Sequence, residues 1–188
     1  MPEKAVIRLN KITTDKLETM MKWRMSPEVS IYMYTDPKMT MKDQERWWKD
    51  VSVSPKFRYW MINMDGKDIG VLNLYDVDPL HKRCFWAYYL GDTSIRGQGL
   101  GRQLECNIYD HVFFTMDMHK LCCEVLTRNE KVIAIHQKFG SEIEGTFKEH
   151  IHKNGEFLDI VRMGILKKKW EKIRSSYEYD KIVIEEPQ

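Results

Sequence analysis

Apolar positions along this chain change period several times, and each change predicts an element. Residues 6–9, Val-Ile-Arg-Leu, read as a short strand. Leu17, Met20, Met21 and Arg24 then recur at helical spacing across 15–24. Ser26-Pro27 stops that helix, because a residue before proline avoids helical geometry. A second helix is predicted over 42–51, with Thr40 near its start as a cap and Pro55 past its end. Three strand-like runs follow at 58–64, 67–75 and 83–90. Asp65-Gly66 joins the first two as a two-residue hairpin signal, and a turn-rich stretch over 76–81 precedes the third. Three strands in a meander imply an antiparallel sheet.

From Gly99 the period lengthens. Leu100, Leu104, Ile108 and Val112 recur every fourth residue, which predicts an amphipathic helix packed on the sheet. Residues 120–126 form the next strand, and the long crossover places it parallel to strand 83–90. A helix over 129–139 ends at Gly140. Strands 145–152 and 156–166 flank Asn154-Gly155, the strongest hairpin signal in the chain. The remaining tail is lysine-rich and then acidic. The organisation expected is one domain over 1–170 and a C-terminal extension over 171–188, helical or frayed, in an α+β fold.

Composition narrows the partners. The 188 residues carry 30 basic and 28 acidic side chains, a net charge of +2, without the basic excess of a nucleic-acid-binding protein. No apolar stretch approaches the length of a membrane span. The start, MPEKAVIRLN, has no apolar h-region, so a cytoplasmic location is expected. Cys84, Cys106, Cys122 and Cys123 form no C-x-x-C pair and read as reduced core thiols; no metal site is expected.

Residues 95–103, IRGQGLGRQ, crowd three glycines between a strand and a helix start. Free backbone N–H groups and the positive end of a helix dipole make such a place an anion site, and glycine lets the backbone come close. The P-loop pattern is absent, and Arg102 stands where a dinucleotide fingerprint needs glycine. What remains is R-x-x-G-x-G on Arg96, Gly99 and Gly101. A tight turn with no ligand is the alternative.

That hexapeptide, in this element order, resembles the acetyl-CoA motif of the GCN5-related N-acetyltransferase (GNAT) family. The second signature, N-x-x-A-x-x-L-Y-x-K-x-G-F, is matched at Asn129, Lys138 and Gly140; Val132, His136 and Ser141 depart from it. The resemblance implies the acyl-CoA N-acyltransferase fold: a mixed, mostly antiparallel sheet with splayed central parallel strands and flanking helices. It implies acetyl-CoA as co-substrate, its pyrophosphate on Arg96, Gly97, Gln98, Gly99, Leu100, Gly101 and Arg102. The pantetheine arm would pair with Tyr89, Leu90 and Gly91, and Asn129 would bond it or only cap its own helix.

The family's thiolate-protonating tyrosine is replaced by His136. An ordinary histidine, with a pKa near 6.5, is only about a quarter protonated at pH 7, so His136 needs a raised pKa or must donate as a neutral N–H. Packing alone is the other reading. Strand 83–90 lacks the family's usual carboxylate base, which leaves Glu149, or His150 and His152, on the terminal hairpin. Lys22-Trp-Arg24, 69–73, 86–91 and 145–159 further resemble the nucleotide-sugar N-acetyltransferases of pseudaminic acid biosynthesis. That subgroup implies a UDP-linked 4-amino sugar as acceptor, serving flagellin or surface-glycan modification. Arg24 is the candidate for holding a phosphate or the sugar, with a structural ion pair as the alternative, and Trp86 and Tyr88 are among the aromatics that could stack the uracil. Polyamine or ribosomal-protein N-terminal acetylation is the alternative, and a non-catalytic acyl-CoA-binding module a remoter one. A homodimer is the assembly considered; neither nucleic acid nor membrane is an expected partner.

Overall fold

The computed structural model describes residues 5–95 and 99–186. Eight strands form one sheet: β1 (Ile7–Lys11), β2 (Arg58–Met64), β3 (Lys67–Asp78), β4 (Arg83–Leu90), β5 (Lys120–Leu126), β6 (Glu142–Lys153), β7 (Glu156–Leu166) and β8 (Val183–Ile184). Their spatial order is β6-β7-β5-β4-β3-β2-β1-β8. The β1 to β4 meander is antiparallel; β4 and β5 run parallel, as the intervening crossover predicts. Asp65-Gly66 and Asn154-Gly155 both turn with positive φ, which fits the right-handed twist of the strands they join.

Helices cover both faces. On one lie α1 (Leu17–Met25), the short α2 (Pro27–Ser30) and α3 (Met41–Ser52), with a small core of Ile12, Leu17, Met20, Met61 and Val71. Thr40 caps α3 in a reciprocal box with Asp43, which satisfies two otherwise unpaired backbone groups. On the other face lie α4 (Leu100–Asp110), α5 (Glu130–Lys138) and α6 (Lys167–Ile173), over the larger core that includes Trp86, Leu104, Tyr109 and Trp170. The helix begun by α4 continues through a wider π-type turn at His111–Thr115.

The last residues pack against the rest of the chain. Helix α6 spans the 170/171 boundary, and Val183–Ile184 add to the sheet beside β1 in parallel. Asp110 fastens this segment: it accepts from Trp170 Nε1 at 2.9 Å, the Tyr179 hydroxyl at 2.7 Å and Arg174 at 3.0 Å, and pairs with Lys181. The segment thereby covers the outer side of α4, which is buried from Leu104 to Asp110.

Candidate active site

The site begins where two strands part. Strands β4 and β5 pair only at Arg83↔Lys120, Cys84↔Leu121 and Phe85↔Cys122. Beyond that, β4 keeps its bonds to β3 as far as Leu90, and β5 keeps its bonds to β7 as far as Leu126. The facing edges, Trp86 to Leu90 and Cys123 to Leu126, have no strand partner among the described residues. Backbone polar groups left unpaired inside a fold call for a partner, and an extended amide-bearing chain supplies one. At the far end of β4, Gly91 packs flat on the Trp23 indole, where a Cβ would collide with the ring.

Because side chains alternate along a strand, the opening has two chemically distinct faces. Trp86, Tyr88 and Cys123 point to the α4/α5 face, where His136 is 5% exposed. The His136 ring meets Trp86 edge to face at 5.3 Å between centroids, and its Nδ1 lies 2.6 Å from Glu105 Oε1. Glu105 is fully buried, and its second oxygen has no hydrogen-bond partner. Burial alone would depress the His136 pKa, but the charge of Glu105 and the contact with the Cys123 thiol overcome it and push it up to about 10. That direction favours the protonated ring at neutral pH. The Tyr88 hydroxyl lies in the same layer, close to Gly101 at the start of α4, and burial with the charge of Glu105 raises its pKa. Gly99 caps α4 with φ +79°, a left-handed conformation that suits glycine and leaves the helix's first N–H groups open.

The α1/α2 face carries the opposite polarity. Glu124, two residues past the last β4–β5 pair, accepts from Arg162 Nε at 3.0 Å and from the Tyr34 hydroxyl at 3.0 Å, with a second bond from the same guanidinium. The guanidinium also stacks on Phe85 at 5.1 Å and on Phe147 at 5.0 Å. Burial and the charge of Glu124 raise the pKa of both Tyr34 and Tyr75. The result is a carboxylate ringed by aromatic side chains that already holds one cation. Arg24, nearer α2, donates to the Thr35 carbonyl at 3.2 Å and its hydroxyl at 2.8 Å.

Several expected residues fall elsewhere. Trp86 is 1% exposed and walls the His136 pocket, so it is not a stacking surface for a uracil. Tyr88 faces α4 and Gly101, the side opposite Arg24 and Glu124. Glu149 sits exposed on the edge strand β6 at a bulge, with φ +51°, and β7 lies between it and β5; it is not brought to the opening. Asn129 precedes α5, but its side chain makes no capping bond. Arg96, Gly97 and Gln98 lie outside the described residues. Tyr89, Leu90, Gly91, Gly99, Leu100, Gly101 and Arg102 border the opening or begin the helix beside it. All four cysteines are free and buried. No helix is long and apolar enough to cross a membrane, and no metal-holding group of side chains occurs, both among the described residues.

Glu105 and Glu124 were missed in the sequence. Glu124 carried a signal, a lone carboxylate in the apolar strand 121–126. Glu105 carried none, since its partner lies 31 residues away.

A family model described as an acetyltransferase (GNAT) domain matches residues 7–142. The chain belongs to this acetyltransferase family. It is 27% identical over 108 residues to spermidine N(1)-acetyltransferase of Escherichia coli K12, covering 57% of this chain and 58% of that protein. Spermidine N(1)-acetyltransferase of Vibrio cholerae is 23% identical over 140 residues, 74% of this chain and 80% of that one. The crystal structure of the Vibrio cholerae spermidine N-acetyltransferase with CoA and spermine superposes with a TM-score of 0.81 at 20% identity, covering 89% of this chain and 98% of that one. As a GNAT member, the chain has the expected splayed-sheet fold. None of these relatives is a nucleotide-sugar enzyme, which removes support from the pseudaminic acid resemblance.

Proposed function

We propose that this GNAT chain is an acetyl-CoA-dependent N-acetyltransferase whose acceptor is a small primary amine of the polyamine class. One observation carries the reading: a single opening in the sheet has a buried histidine paired with a carboxylate on one face and a carboxylate among aromatic rings on the other. The relatives named above, spermidine N-acetyltransferases of Escherichia coli and Vibrio cholerae, support the acceptor class.

The acetyl thioester supplies an activated acyl carbon. The open N–H groups after Gly99, with Gly101 and Arg102, would hold its pyrophosphate, together with Arg96, Gly97 and Gln98. The unpaired edge of β4 from Tyr89 to Gly91 would bond its amide-bearing arm, and the uncapped Asn129 side chain is available to the same arm. A backbone N–H of that edge stabilises charge on the acyl oxygen. His136 donates a hydrogen bond to the departing sulfur. Glu124 attracts the acceptor's ammonium end as it already holds the Arg162 guanidinium.

A UDP-linked 4-amino sugar is the second reading. Arg24 favours it, because its guanidinium has no carboxylate partner within ion-pair distance among the described residues. Incubation with acetyl-CoA and, in parallel, spermidine, a UDP-4-amino-4,6-dideoxy sugar and an N-terminal peptide, followed by thiol release and product mass, separates the readings. Spermidine is expected to give the highest kcat/KM. A clear preference for the sugar would replace the acceptor class, and no thiol release with any amine would overturn the enzymatic reading.

A further inference from the structure

We infer that Glu105 is a positioning residue that keeps His136 cationic, so that sulfur leaves as a thiolate paired with an imidazolium that keeps its proton. The inference rests on the reading of His136 as the group that meets the departing sulfur.

The geometry leaves Glu105 one source of positive charge. Its carboxylate is wholly inside the fold, and a buried charge persists only when paired. No lysine or arginine reaches it among the described residues; its contact is His136 Nδ1 at 2.6 Å. The Tyr88 hydroxyl from β4 and the Tyr109 hydroxyl from α4 face this pair with their pKa raised by burial and by the charge of Glu105, and the Cys123 side chain of β5 touches the His136 ring. Tyr109 is itself engaged with the Ser141 hydroxyl at 3.1 Å. The second oxygen of Glu105 has no partner, so loss of the ring proton would leave the whole carboxylate uncompensated. With Nδ1 bound to Glu105, the Nε2–H is the ring's remaining donor.

The direction of proton affinity decides between acid and ion-pair roles. A free alkyl thiol loses its proton near pH 8.5, below the value near 10 to which Glu105 lifts the ring. The proton therefore stays on His136. As the amine nitrogen bonds the acyl carbon, the carbon–sulfur bond breaks and its electron pair goes to sulfur. The amine's proton passes to water, and sulfur takes a proton from solvent after it leaves the imidazolium.

Histidine-labelled NMR on the full chain tests this, with the His136 signal assigned by its loss in His136→Phe. The wild-type ring is expected to remain cationic through pH 8. In Glu105→Gln, which keeps the shape but removes the charge, its titration should fall to or below the ordinary 6.5. Glu105→Asp should restore most of the raised value. The alkaline limb of the kcat profile should move with the ring in each variant. A wild-type ring already neutral at pH 8, or a Glu105→Gln ring that titrates as in wild type, would overturn the inference. Should Glu105→Gln not fold, the wild-type titration decides alone. The titration needs neither acetyl-CoA nor amine, so absence of acetylation would count against the proposed function and not against this pairing.

Discussion

Glu105 and Glu124 are two carboxylates on opposite faces of one opening, and they are solvated in opposite ways. Glu105 is sealed, with one partner and one bare oxygen. Glu124, its side chain 13% exposed, has both oxygens engaged by a guanidinium and a phenol at the edge of solvent. A sealed carboxylate with one titratable partner controls that partner's proton. A saturated carboxylate next to solvent can exchange one cation for another. On the proposed reading, the same residue type serves charge placement on the donor face and recognition on the acceptor face.

The largest expected effect falls on the donor face. His136→Phe should lower kcat by about 10²–10³, the usual worth of a preorganised donor to charge that develops in the transition state, with acetyl-CoA affinity by calorimetry nearly unchanged. A histidine that only packs would leave kcat intact in the folded fraction and alter the thermal midpoint instead. On the acceptor face, Glu124→Gln should raise the amine KM, cutting kcat/KM about tenfold to a hundredfold, since a hydrogen bond to a charged group is worth about 1.5–3 kcal/mol. Steady-state titration of the amine at saturating acetyl-CoA reads it. An unchanged KM would remove Glu124 from recognition.

A further effect is in stability. The His136 pKa is raised on folding, so the stabilisation from its pairing is fully present below 6.5 and lost as pH rises through about 10. Denaturant unfolding should therefore show wild type losing about 3 kcal/mol between pH 7 and pH 10.5 from this pair. Glu105→Gln should lose less over the same window. Equal losses would mean that the pair contributes nothing to folding.

Most of the fold was legible because its signals are local. The hairpin turns at 65–66 and 154–155, the Thr40 cap and the four-residue period from Leu100 each announce one element, and the crossover orders β4 against β5. The glycine cluster and Asn129 signature gave the family. What was illegible depends on distant packing. The tail after Ile173 docks because Asp110 collects four partners, which no local pattern records. Trp86 and Tyr88 were placed with the acceptor because strand alternation does not say which layer a face meets. The nucleotide-sugar expectation rests on short segments that resemble one subgroup, whereas the spermidine N-acetyltransferases match over 57% and 74% of the chain.

The claim that these two faces act separately on one reaction is tested most directly by the double variant His136→Phe/Glu124→Gln. Residues without shared partners lose activity additively in free energy. The kcat/KM for spermidine should therefore fall by the product of the two single losses, with the His136 share in kcat and the Glu124 share in KM. A double variant no worse than the weaker single variant would show that the two residues work as one unit, and would contradict the division of the site.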